Sequence, residues 1–88
     1  GYYDPHIAVP LAELLEDQGR HQEACDLYRH LCEGPDVENL ALYHHQSARL
    51  LVEMGEEELA RSYHARSQEL VGDDEDLARR IEELSSQL

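Results

Sequence analysis

A chain of 88 residues with 20 acidic and 7 basic side chains, net charge −13, has room for one core and repels polyanions. That balance excludes nucleic acid as a partner and disfavours anionic membrane surfaces. With neither Phe nor Trp in the chain, the core is left to Leu, Ala, Val, Ile and Tyr.

Good helix formers dominate, and the β-branched residues are few and scattered, so the fold class reads as all-α. The apolar pattern keeps a helical period almost throughout. Asp4-Pro5 opens a first helix that runs to about Gln18, with Ala8, Leu11, Ala12, Leu14 and Leu15 as its apolar face. Pro10 is expected in or near the first turn, because an interior proline removes a hydrogen bond and clashes with the turn before it. Gly19 ends this helix. A second runs from about Gln22 to Cys32, with Ala24, Leu27, Tyr28 and Leu31 on one stripe. Gly34-Pro35-Asp36 stops it and offers Asp36 as the next N-cap.

A third helix covers about Val37 to Glu53, with Val37, Leu40, Ala41, His44, Ser47, Ala48 and Leu51 in line. Gly55 breaks it. The fourth runs from about Glu57 to Val71, with Leu59, Ala60, Tyr63, Ser67 and Leu70 inward. Gly72 precedes a fifth, from about Glu75 to Ser86, whose face carries Leu77, Ala78, Ile81 and Leu84. Asp73 to Asp76 crowd its positive end, and Glu75–Arg79 and Asp76–Arg80 are expected as i,i+4 pairs.

All seven basic residues are Arg. The absence of Lys suits either a salt-rich cytosol or a GC-rich genome that writes Arg for Lys. Cys25 and Cys32 lie on one helix, roughly 10.5 Å apart along its axis, too far for a disulfide. With no signal peptide and no apolar run of membrane length, the expected setting is cytoplasmic and reducing. The missing initiator Met suggests an excised fragment.

Setting Gly19 on Gly55 gives a period of 36 and superimposes Ala12 on Ala48, Leu14-Leu15 on Leu50-Leu51 and Ala24 on Ala60. A helix–turn–helix unit recurring near this length points to a solenoid. The stretch from Leu11 to Tyr28 resembles the tetratricopeptide repeat in Ala12, Gly19, Glu23-Ala24, Tyr28 and the Gly34-Pro35 stop. The second unit keeps Ala48, Gly55 and Ala60, but Ser47, His64 and Ser67 depart from the family pattern. The resemblance implies antiparallel hairpins in a right-handed solenoid forming a single domain. Repeat one would span about 6–36, repeat two about 37–72, and a capping helix about 75–86.

No catalytic constellation stands out. His21 and Cys25 have i,i+4 spacing but lack further ligands for zinc, and the acidic runs lack the spaced oxygens of a calcium loop. There is no nucleophile elbow and no phosphate loop, and no carboxylate pair is placed in a cleft. The chain reads as a non-enzyme, with no cofactor and no metal. His44 and His64 stand in otherwise apolar stripes and are expected at the packing interface of the second hairpin, where protonation would loosen it.

The resemblance implies a concave groove lined by the first helix of each hairpin. Carrying over the family's offsets gives His6, Val9, Glu13, Glu16 and Asp17, then Leu42, His45, Arg49, Val52 and Glu53. Chaperone-binding members clamp a terminal carboxylate with Lys, Arg and Asn. Here acids outnumber the single Arg49, so a basic or amphipathic peptide fits better. The expected function is a protein-binding adaptor or scaffold. The alternative is a structural, self-associating piece of a longer array, a homo-oligomer with Leu77, Ile81 and Leu84 as its seam.

Overall fold

Why the chain breaks where it does is visible at its turns. In a computed structural model describing residues 4–88, the elements are α1 (Pro5–Asp17), α2 (His21–Cys32), a 3₁₀ turn (Val37–Asn39), α3 (Leu40–Glu53), α4 (Glu57–Leu70) and α5 (Glu75–Ser85). After α1 the Arg20 amide donates to the Leu15 carbonyl (2.8 Å) and the Gly19 amide to Glu16 (2.9 Å). Thirty-six residues later the Glu56 amide donates to Leu51 (2.9 Å) and the Gly55 amide to Val52 (3.1 Å). Both are Schellman closures, and both need a residue in the left-handed region. Gly19 and Gly55 supply it, at φ +77° and +79°. The residues entering the next helices match as well, Arg20 at φ −90°, ψ 64° and Glu56 at −89°, 68°. The sequence repeat is therefore a repeat of backbone geometry.

Within each hairpin the helices approach through alanines. Ala12 with Ala24, and Ala48 with Ala60, are completely buried, which leaves no side-chain bulk between the backbones. Each helix packs on its chain neighbour, and α5 lies on both α4 and α3. The main core gathers Leu15, Tyr28, Leu31, Tyr43, Leu50 and Leu51. A second cluster of Ala41, Leu77 and Ile81, edged by Leu42, Leu70 and Val71, holds α5. Ser47 and Ser67, which replace apolar residues in the family pattern, are wholly buried and donate to carbonyls of their own helix, Tyr43 (2.9 Å) and His64 (2.7 Å). Ser47 also serves the cysteines, its carbonyl receiving Cys25 Sγ and its hydroxyl lying 3.9 Å from Cys32 Sγ.

Several expectations are corrected. Pro10 is the sixth residue of α1, not in its first turn. Leu11 and Leu14 face outward, because α1 packs on α2 alone and can bury only the Ala8–Ala12–Leu15 side. Asp36 does not cap a helix: its carboxylate accepts from the Asn39 amide (3.0 Å) and the Tyr43 hydroxyl, and the chain enters α3 through the 3₁₀ turn. Val37 is exposed. On α5 the Arg79 guanidinium pairs with Asp76 (2.6 Å) at i,i+3, in place of both expected i,i+4 pairs. Leu77, Ile81 and Leu84 are buried inside the chain, so they form no open seam.

Candidate binding face

The phenol of Tyr28 marks the place where three helices converge. Its ring is buried in the main core. Its hydroxyl is held protonated to higher pH than an ordinary phenol by burial and by Glu13 and Glu16 of α1, against the opposing pull of Arg49 on α3 and Arg80 on α5. Four charges from α1, α3 and α5 thus share one side of the molecule.

At the middle of this face Arg49 is fixed. Its guanidinium donates to both Glu16 oxygens, at 2.5 and 2.7 Å, and its Nε to Gln46 (2.9 Å). The bidentate pair holds the Glu16 carboxyl below the usual carboxylate range. Glu53 stands near the end of α3, 3.4 Å from His21 Nδ1. Glu13 and Asp17 are exposed on α1. Val9 and Val52 are half-buried at the edge of the main core, so they support the face more than they line it. His6 sits apart, in a pocket with Asp4, Pro35 and Tyr43 at the start of α1.

Between α3 and α5 two shallow pockets lie side by side. One, of about 180 Å³, is lined by His45, Arg49, Arg80, Glu83, Leu84 and Gln87. The other, of about 220 Å³, is lined by Glu38, Asn39, Leu42, Asp74, Asp76, Leu77 and Arg80. Arg80 belongs to both. Among the described residues it alone of the seven arginines has neither an ion pair nor a hydrogen bond. Sequence reasoning missed it by pairing it with Asp76. Its signal was available, since Arg79 and Arg80 point about 100° apart on a helix and one acid cannot hold both.

His45 was expected on the groove surface and is instead 3 % exposed. The reason is the crowding of α3, which has α2, α4 and α5 around it and so buries several sides. Burial, with Arg80 and Arg49 nearby, pushes the His45 imidazole down to about 4, and among the described residues its Nδ1 has no hydrogen-bond partner. Of the two histidines expected inside, His64 is buried, with Nε2 2.8 Å from Ser85 Oγ on α5. Burial lowers its pKa. His44 is only half-buried, with Nδ1 2.8 Å from the Leu40 carbonyl and its ring 5.6 Å from Tyr63.

Elsewhere a groove of about 530 Å³ is lined by Cys32, His44, Tyr63, Arg66 and Glu69. Cys32 there is a poor nucleophile, pushed up to about 11 by burial. Among the described residues no three His, Cys, Asp or Glu side chains converge as metal ligands. No described helix is long and apolar enough to cross a membrane. Comparison with protein-family models, with curated proteins and with solved structures gave no significant match.

Proposed function

We propose that the chain is a non-catalytic interaction module that holds an amphipathic peptide on the face shared by α1, α3 and α5. The observation that carries this is Arg80, which lies between two pockets and has no ion pair among the described residues. A cation left free among so many acids, beside the apolar floor of Leu42, Leu77 and Leu84, suits a partner with an apolar side chain and an acidic group. Glu53 on α3 complements a basic residue at the other end of the same segment. The repeated Schellman turns and alanine seams support reading the two hairpins as a tetratricopeptide-like solenoid capped by α5. A cytoplasmic setting goes with that reading, since both thiols engage Ser47 and neither is placed to form a disulfide with the other.

Selection from a random peptide library, at low and near-molar salt, tests this. Amphipathic sequences should be enriched, and Arg80→Glu should lose them by tenfold or more while leaving the melting temperature unchanged. Arg49→Glu would be the wrong probe, because it sets two carboxylates against each other at Glu16. An absence of enrichment, or enrichment indifferent to Arg80→Glu, would remove this face as the binding site.

A further inference from the structure

The helix at the start of the chain has a second face that the fold leaves unused. Ile7, Leu11 and Leu14 lie at i, i+4 and i+7 on α1 and remain 69 %, 43 % and 53 % exposed. Among the described residues they account for three of the five exposed large apolar side chains, and they form one stripe. Pro10 and Gln18 continue that face without charge. Among the described elements α1 packs its backbone only on α2, through the adjoining Ala8–Ala12–Leu15 side. Along one edge of the stripe stand Glu13 and Asp17, both exposed. They are like charges four residues apart, which mildly destabilise a helix unless a cation lies between them. Among the described residues neither is in an ion pair.

We infer that this outer face of α1 docks a basic amphipathic helix of a partner protein, distinct from the peptide proposed for the α3–α5 pockets. Ile7, Leu11 and Leu14 would meet an apolar i, i+3/i+4, i+7 stripe, and Glu13 and Asp17 would meet Lys or Arg along its flank. Charge decides among the occupants. A second copy would bring its own Glu13 and Asp17 and a further −13 to the contact. An anionic lipid surface is repelled by the same two acids. A basic helix satisfies both the stripe and its edge.

The probe is an acetylated, amidated 18-residue Leu/Lys/Ala peptide with Leu at i, i+4 and i+7 and Lys along one flank. Its controls are a scramble of the same composition and a version with Glu in place of Lys. Amide-shift mapping should confine the response to residues 7–18. Leu11→Glu should weaken binding at least tenfold, and Glu13→Gln with Asp17→Asn several-fold at low salt. Because these side chains are exposed, the variants should melt with the wild type, and Arg80→Glu should bind the peptide normally. Equal binding of the scramble, shifts centred on α3 and α5, loss through Arg80→Glu, or mass doubling of the chain alone would each overturn the inference. Failure of the Arg80 peptide selection with this peptide still bound would sink the other face only.

Discussion

Arg49 and Glu16, 33 residues apart in the chain, form a two-bond ion pair that ties the first hairpin to the second where α1 and α3 have no backbone contact. Both side chains are about a quarter exposed, so the pair is partly shielded from water and from salt. Removing one partner leaves the other half-buried and uncompensated. Glu16→Gln and Arg49→Met should each cost about 1–2 kcal/mol, with a coupling of about 1 kcal/mol in a double-mutant cycle by urea unfolding. The Glu16 pKa is lowered in the folded state, so its contribution is present above the ordinary carboxylate range and lost as pH falls through the folded value. Singles that add without coupling would show the two hairpins to be held by packing alone.

Gly19 and Gly55 offer an internal control that few chains provide. Both sit near φ +78° in matching turns, and a Cβ at either would meet nothing within 4 Å. Any cost of Gly→Ala is therefore the left-handed backbone itself, about 1–2 kcal/mol at each site. Equal losses at the two positions, and smaller ones for Gly→Asn, are expected in thermal unfolding. A loss at only one site would show that the two turns are not equivalent.

The same comparison explains how much could be read without coordinates. Helix boundaries were legible because the chain stops each of its first four helices with Gly or Gly-Pro, signals that act within a few residues. The period of 36 was legible because the tightest approaches use alanine, which stands out against long side chains. What could not be read was how many neighbours each helix has. Leu11 and Leu14 look like core on any helical wheel, yet among the described elements only α2 lies close along α1, and they stay outside. His45 looks like surface, yet α3 has several neighbours and takes it inside. Arg80 required knowing which of two adjacent arginines Asp76 would hold.

Cys25 and Cys32 should be silent in the folded chain. Burial raises both thiols from 9.0 to about 11, which cuts the thiolate fraction near neutral pH about a hundredfold before steric access is counted. Modification by an aromatic disulfide reagent should thus proceed through opening, at least a hundred times slower than in denaturant. Ser47→Ala removes the hydroxyl beside Cys32 but keeps the carbonyl that Cys25 meets, so it should speed both reactions together only by loosening the α2–α3 seam. Rapid reaction of Cys32 alone would mean that the groove beside it opens without the core.

The buried histidines set a limit on acid stability. In the unfolded chain His45 binds its proton near pH 6.5, but in the folded chain only near pH 4. The unfolded state therefore gains protons first as pH falls. The stability that depends on a neutral imidazole is intact above about 6.5 and is lost between there and 4, up to about 3 kcal/mol. His64 shifts in the same direction and adds to the slope. Opposing them, protonating carboxylates below about pH 5 relieves the repulsion of a chain at −13, so the clearest window is pH 7 to 5. There the melting temperature should fall steadily. His45→Leu should flatten the slope by more than half. Because His64 is bonded to Ser85 and His45 faces the α5 pocket, amide exchange in α5 should rise first on acidification. A flat profile from pH 7 to 5 in the wild type would show that these imidazoles reach water when charged.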